Sequence, residues 1–96
     1  MATGTIKKPV SYIDYDSPAA TISAGTIGTF ATDVTVDVTV QGKTPISAML
    51  VKHQQPGSAN IVPVLIGNTL HLVFYRCGTA AGTIAAKSAA VRIAYI

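Results

Sequence analysis

The sequence predicts an all-β fold, a small antiparallel β-sandwich of jelly-roll-like type with six to eight strands. Its 96 residues are 49% apolar and only 11% charged, and they include neither glutamate nor tryptophan. Threonine, valine and isoleucine are abundant, and these residues favour a pleated sheet over a helix. Short apolar runs recur at spacings of about ten residues, which is typical of sandwiches and small barrels. A chain of this length forms one core, so residues 10–96 are predicted to be a single domain.

The first half of the chain carries the clearest strand signal. Residues 10–15 are predicted to form a short strand that ends at the turn Asp16-Ser17-Pro18. Between residues 32 and 41, valine alternates with threonine, aspartate and glutamine. This period of two predicts a strand with one apolar and one polar face. A turn at 42–45 leads to a second strand over 46–53, and 54–60 is predicted to be a loop.

The second half begins with a predicted hairpin. Residues 61–66 and 70–76 are joined by Gly67-Asn68, and glycine supplies the positive φ that a two-residue turn needs. Pro63 cannot donate a hydrogen bond to a ladder, so its strand is predicted to lie at a sheet edge or to contain a bulge. Residues 79–90 are predicted to be a loop with a short strand over 83–85, because glycine and threonine interrupt the alanines. Residues 91–96 form the last predicted strand.

Three of the predicted strands, 46–53, 70–76 and 91–96, are apolar on both faces. An antiparallel sheet in a small monomer normally exposes one face to water, and a chain this short cannot cover both faces itself. We therefore expect a second copy of the chain to cover the spare face. The predicted oligomer interface consists of Met49, Val51, Val73, Tyr75 and Ile96.

The net charge of +3 comes from a shortage of acidic residues. Lys7 and Lys8 are the only adjacent basic pair, whereas nucleic-acid binders carry a basic cluster or stripe. We therefore expect no nucleic-acid partner, and an OB-like nucleic-acid binder is a rival hypothesis. The sequence contains no apolar run of about 18 residues, so we expect no insertion into a membrane. The single cysteine, Cys77, and the absence of an apolar leader fit synthesis in a reducing cytosol.

Histidine and cysteine do not form a recognisable chemical set in this sequence. His53 and His71 each lie inside a predicted strand, without the further ligands that a zinc site needs. Cys77 has no neighbouring base that would activate it as a nucleophile. We expect no enzymatic activity, no metal and no cofactor, and a small enzyme is the weakest of the rival hypotheses.

The acidic and aromatic residues have simple structural interpretations. Asp14 and Asp16 share one face of a strand, as do Asp33 and Asp37. Paired carboxylates can hydrolyse glycosides, but solvation or weak Ca²⁺ binding is the simpler interpretation here. Tyr12 and Tyr15 lie on opposite faces of the first predicted strand, so at most one of them belongs to the core. The four tyrosines are Tyr12, Tyr15, Tyr75 and Tyr95.

Parts of the sequence resemble bacteriophage virion proteins. The opening GTIKKPVSYIDY is similar to the start of small virion proteins in which a GTIKK-like lead precedes β-strands. VTVDVTVQGKTPISAMLVKH and GNTLHLVFYRCGTAAGTIAAKSAAVRIAYI resemble the terminal β-sandwich of tail-fibre tips and related accessory virion proteins. The turn before the strand, the hairpin and the chain ending match at Thr44-Pro45-Ile46, Gly67-Asn68 and Ala94-Tyr95-Ile96. The resemblance covers roughly two thirds of the chain.

This resemblance implies a virion structural protein, a homotrimer without catalytic residues. It would lie on the virion as a capsid decoration, a head fibre or a tail tip, in contact with other virion proteins and with a host-surface glycan or protein. Residues 1–9 are expected to anchor it to the particle, and the anchor residues are Ile6, Lys7, Lys8 and Pro9. A carbohydrate-binding module is the alternative function.

Overall fold

The computed structural model describes residues 11–53 and 59–96, and all regular structure within them is β-strand. The strands are β1 (Ser11–Asp16), β2 (Ala20–Ile22), β3 (Phe30–Asp37), β4 (Pro45–His53), β5 (Ala59–Ile66), β6 (Thr69–Arg76), β7 (Gly82–Ile84) and β8 (Ala89–Tyr95). Every pairing between them is antiparallel. The predicted all-β antiparallel fold with six to eight strands is confirmed.

The strands form two three-stranded sheets and a two-stranded ribbon. Sheet I has the order β1-β8-β4, sheet II has the order β3-β6-β5, and β2 pairs with β7 in the ribbon. The pairings are nested, because the first strand pairs with the last, the second with the seventh and the third with the sixth. Such nesting is the winding of a jelly roll, in which a long hairpin folds over on itself.

The core lies between the inner faces of the two sheets, and the central strands β6 and β8 supply most of it. Alternate residues of each strand point inward, as the period of two requires. The inward-facing buried residues of the central strands are Leu70, Leu72 and Phe74 in β6, and Ala89, Val91, Ile93 and Tyr95 in β8. The ribbon closes the core with Ala20, Ile22 and Ile84. The two sheets and the ribbon therefore share one apolar interior.

A polar cluster lies inside the core and is built around the hydroxyl of Tyr95. This hydroxyl is fully buried and donates to the carbonyl oxygen of Val38 at 2.6 Å. The half-buried hydroxyl of Tyr15 donates in turn to the Tyr95 oxygen. Burial, followed by the bond from Tyr15, raises the pKa of Tyr95 well above its ordinary value. Tyr12 is exposed, so the prediction that at most one of Tyr12 and Tyr15 is a core residue is confirmed.

Strand β3 ends earlier than the alternation predicts. The period of two continues to residue 41, but the strand stops at Asp37. The Asp37 carboxylate accepts hydrogen bonds from the backbone N–H of Thr39 at 3.0 Å and from its hydroxyl at 2.6 Å. This turn competes with the ladder and redirects the chain, so the prediction of a strand to residue 41 is wrong at its end.

Strand β4 contains two irregularities that the sequence does not announce. Its pairing with β8 shifts between Pro45 and Ser47 and again between Leu50 and Lys52. A bulge inserts an extra residue and changes which side chains face the core. Ile46 is consequently half exposed, whereas Ala48 and Leu50 pack against the core.

The predicted hairpin forms between β5 and β6, with Ile66 opposite Thr69 on either side of the turn. Gly67 has a φ of +60°, which fits a two-residue turn with glycine at its first central position. Strand β5 lies at the edge of sheet II, so the prediction of an edge strand at Pro63 is confirmed. Ala59 and Asn60 belong to β5 and not to the predicted loop, whose residues 54–58 lie outside the described residues.

The remaining boundaries differ from the prediction by one or two residues. Strand β7 covers Gly82–Ile84, where a strand over 83–85 is predicted, and β8 begins at Ala89. Strand β2, Ala20–Ile22, lies at the start of a stretch with little pattern and has only three residues. A strand this short has too few alternating positions to be recognised by period alone.

Candidate interaction surface

The outer face of sheet II carries the largest group of exposed apolar side chains on neighbouring positions. Residues directly opposite one another in an antiparallel sheet share a face, and so do alternate residues of one strand. The register therefore places six apolar side chains together on this face. We call them the sheet II patch: Phe30, Val62, Val64, Ile66, Val73 and Tyr75.

The patch is continuous from one edge of sheet II to the other. Val62 lies opposite Val73, and Tyr75 lies opposite Phe30. The rings of Phe30 and Tyr75 meet edge to face, with centroids 6.4 Å apart. Phe30 is 55% exposed and Ile66 is 61% exposed, although both are large apolar side chains. Water therefore meets a ridge of aliphatic and aromatic groups on this side of the sandwich.

Polar groups occupy the other corner of the same face. Asp33, Thr35 and Asp37 project from β3, beside His71 of β6. The Nδ1 atom of His71 lies 3.0 Å from a carboxylate oxygen of Asp33. Two hydrogen bonds from Thr39 hold the pKa of Asp37 below its usual value. The face is thus divided into the apolar patch, which reaches β3 only at Phe30, and an acidic part on the rest of β3.

Arg76 holds the segment that carries Phe30. Its guanidinium donates to the carbonyl oxygen and the hydroxyl of Ser23, both at 2.9 Å. It also donates to the carbonyl oxygen of Phe30 at 2.6 Å and to the hydroxyl of Thr29 at 3.0 Å. A β-carbon on Gly25 would lie only 2.5 Å from this guanidinium, so the close approach requires glycine. Arg76 is a positioning residue that the sequence alone does not reveal, because its partners are carbonyl and hydroxyl groups distant in the chain.

The outer face of sheet I has a different character. At its centre the guanidinium of Arg92 donates to both carboxylate oxygens of Asp14, at 2.8 and 3.1 Å. This contact holds the pKa of Asp14 below its usual value and raises that of Arg92. Met49 is exposed directly opposite Arg92. An ion pair therefore lies at the centre of this face, in contrast to the apolar patch on sheet II.

The predicted interface residues are exposed or half-buried, but they do not form one surface. Met49 and Val51 lie on sheet I, whereas Val73 and Tyr75 lie on the outer face of sheet II. Ile96 follows β8 at the end of sheet I, where its backbone pairs with Thr44. One contact between flat surfaces cannot include both outer faces of a sandwich.

Four members of the patch were missing from the predicted interface: Phe30, Val62, Val64 and Ile66. Residues 61–66 read IVPVLI, which is apolar at every position, and that run was the available signal. Nothing in the local sequence indicates that Phe30 is exposed. The predicted anchor residues Ile6, Lys7, Lys8 and Pro9 lie outside the described residues.

The histidine, cysteine and acidic side chains that the structure describes do not meet in one site. His71 pairs with Asp33 on sheet II, and Cys77 is half-buried beyond the end of β6. Within residues 11–53 and 59–96, no group of three or more histidine, cysteine, aspartate or glutamate residues is placed to hold a metal ion. The same part of the chain contains no helix that is long and apolar enough to cross a membrane.

Comparisons with known proteins add no relative. No family model matches the chain, and neither the curated proteins nor the solved structures include a significant match.

Proposed function

We propose that this chain is a non-enzymatic structural protein of a bacteriophage virion, a surface module that assembles with copies of itself through the sheet II patch. The observation that carries the self-association is the patch itself, six apolar side chains on adjoining positions of one exposed face. The virion setting and the number of copies, three, come from the resemblance of the sequence. Its role would be attachment to the particle as a decoration, head fibre or tail tip, or contact with the host surface.

The size of the patch supports an interface between copies. Five of its side chains are at least 38% exposed, so together they offer an apolar area on the order of several hundred Å². A standard interface buries about 800 Å² on each partner, a little over half of it apolar. The patch therefore supplies most of the apolar area that such an interface uses.

The composition supports the same proposal. Only 11% of the residues are charged, and charged residues are depleted at the centres of protein–protein interfaces. Contacts between identical copies in a closed ring or dimer bury such a patch and leave no free copy of it exposed.

The experiment is size-exclusion chromatography with light scattering on the wild-type protein and two variants. Val62→Glu places a charge in the middle of the patch, and Met49→Glu places the same charge on the opposite face of the sandwich. We expect the wild type and Met49→Glu to have the mass of a trimer, and Val62→Glu to have the mass of a monomer.

Circular dichroism shows whether both variants keep their sheet structure. A monomeric wild-type protein at micromolar concentration would overturn the self-association. A trimer that Met49→Glu dissociates, and Val62→Glu does not, would assign the contact to sheet I instead.

One observation favours carbohydrate binding as a second candidate. Phe30 and Tyr75 form an exposed aromatic pair, and exposed Asn60 lies opposite Tyr75. A flat ring beside an amide is a common platform for a sugar. A glycan array with wild-type protein and the variant Tyr75→Ser distinguishes the candidates. Binding that disappears in this variant would support the sugar site.

A further inference from the structure

We propose that Pro63 closes the free edge of sheet II, so that copies of this chain associate through the face of the sheet and not by extending its strands. Strand β5 pairs with β6 on one side only. On its other side no strand is hydrogen-bonded to it within the described part of the chain. Such an edge presents unpaired N–H and C=O groups that can bind an incoming strand.

The turn and the register decide which backbone groups of β5 face this edge. In a hairpin with a two-residue turn, the two residues that flank the turn exchange hydrogen bonds. Farther along the strands, hydrogen-bonded pairs alternate with pairs that are not hydrogen-bonded to each other. Ile66 and Thr69 flank the turn, so Val64 and Val62 are the next residues of β5 that bond to β6. The residues between them direct their N–H and C=O groups to the free edge. These residues are Ala59, Ile61, Pro63 and Leu65.

The backbone hydrogen bonds of Arg76 independently show which residues of β6 bond to β3 and which bond to β5. Its backbone N–H donates to Thr29 at 2.9 Å, and its carbonyl oxygen accepts from Gly28 at 2.7 Å, both on the β3 side. Alternate residues of β6, back to Leu72, therefore also direct their backbone groups to β3. Leu72 lies opposite Pro63, so β6 never requires an N–H from residue 63. The proline leaves the hairpin intact and removes a donor only from the free edge.

The position of Pro63 within the row makes the closure effective. It lies between Ile61 and Leu65, the two residues whose donors an incoming strand would need on either side. Its ring carbons occupy the place of the amide hydrogen and obstruct the carbonyl of such a strand. Without the proline, an apolar edge strand with four donors in phase would be a template for sheet extension.

Two other edge strands, β3 and β4, are interrupted in a different way. Strand β4 has two register shifts, and the pairing of β3 with β6 shifts between Phe30 and Thr32. A bulge twists an edge away from a regular partner. Strand β5 is regular throughout its pairing with β6, so proline is its only interruption.

Hydrogen exchange on the wild-type protein tests the phase. We expect the amides of Ile61 and Leu65 to exchange roughly tenfold or more faster than those of Val62 and Val64, because the first pair faces the open edge. Equal protection of all four amides would mean that the edge is covered, and it would overturn the proposal.

The variant Pro63→Thr restores the missing donor, and Pro18→Thr, at a proline between β1 and β2, is the matched control. We expect Pro63→Thr to form species at least twice the wild-type mass as concentration rises, with new protection at residues 61 and 65. Pro18→Thr should keep the wild-type mass. An unchanged mass and exchange pattern in Pro63→Thr would overturn the proposal.

The exchange pattern of the wild type gives a result even if the variant does not fold. The closure of the edge by Pro63 and the assembly of a trimer can fail independently of each other. A monomeric wild type removes the trimer but leaves the effect of Pro63→Thr to be observed.

Discussion

At the scale of single residues, the hydroxyl of Tyr95 is the nearer of two donors to the Val38 carbonyl oxygen, at 2.6 Å against 3.4 Å for the hydroxyl of Tyr15. The Val38 carbonyl lies just beyond the end of β3, where the sheet no longer supplies a donor to it. An unsatisfied buried acceptor costs about 1–3 kcal/mol. The bond from Tyr95 therefore ties the β3–β4 connection to the last strand of the chain.

We expect Tyr95→Phe to lower the free energy of unfolding by about 1–3 kcal/mol, because the buried hydroxyl makes two hydrogen bonds that are lost, one to the Val38 carbonyl oxygen at 2.6 Å and one with the hydroxyl of Tyr15. Urea unfolding followed by circular dichroism measures this loss. Tyr12→Phe is the control, since Tyr12 is 61% exposed and should change stability by less than about 0.5 kcal/mol. Equal effects of the two substitutions would contradict the role of the buried hydroxyl.

The ion pair of Asp14 and Arg92 makes stability depend on pH in a defined direction. The pKa of Asp14 is lowered from 3.8, chiefly by its hydrogen bonds with Arg92. A carboxyl whose folded-state pKa is depressed stabilises the protein above its unfolded pKa and loses that contribution as pH falls. We expect the urea midpoint of the wild type to exceed that of Asp14→Asn above pH 3.8 and to converge with it in more acidic solution.

A variant of the partner tests whether this effect belongs to the pair. Arg92→Met should produce the same pH profile as Asp14→Asn, and the double variant should add nothing further. Independent, additive effects of the two substitutions would show that the carboxylate and the guanidinium do not act together.

At the scale of the elements, the end of β6 and the segment before β3 form one unit through Arg76. The guanidinium donates to groups on Ser23, Thr29 and Phe30, so the segment folds around an arginine from a distant strand. Gly25 lets the chain pass close to this group. The geometry also determines where Phe30 enters the sheet II patch.

We expect Gly25→Ala to lower the free energy of unfolding by about 1–3 kcal/mol, because the new β-carbon would push the Arg76 side chain away from the groups to which its guanidinium donates. Gly78→Ala is the matched control, since a β-carbon there meets nothing within 4 Å. Thermal unfolding compares the two variants. A larger loss for Gly78→Ala than for Gly25→Ala would contradict the close approach.

At the scale of the whole molecule, the nested pairings bring the two ends of the described chain together. Strand β1 pairs with β8, so Ser11 lies opposite Tyr95 at one end of sheet I. A segment that precedes Ser11 therefore leaves from the end of sheet I, whereas the patch lies on the outer face of sheet II. Anchoring and self-association would then use different parts of the protein.

We expect deletion of residues 1–9 to leave a folded oligomer that no longer joins phage particles. The reason is that residues 1–9 precede the predicted domain, whereas the patch belongs to strands of the described structure. Light scattering checks the oligomer, and sedimentation with particles checks incorporation. Replacing Lys7 and Lys8 with alanine at full length tests whether charge alone matters. Continued incorporation of the truncated protein would contradict the anchor.

The fold class and most of the strands could be predicted from the sequence, because alternation and turn residues are local properties. The valines between 32 and 41 set an inner and an outer face, and Gly67-Asn68 set the hairpin and hence its register. Pro63 indicated an edge strand because a proline can never donate to a ladder. These features depend on neighbours in the chain, so they can be read without the structure.

The exposed apolar faces, and the residues that share each of them, become known only from the pairing of the strands. Residues 61–66 are apolar at every position, and the sequence cannot tell which alternate set faces the core until the partner strand is known. The bulges in β4, the Asp37 turn and the Arg76 contacts depend on groups that are distant along the chain. Long-range pairing therefore placed Val62 beside Val73 and Phe30 beside Tyr75, and so created the patch on which the proposed association rests.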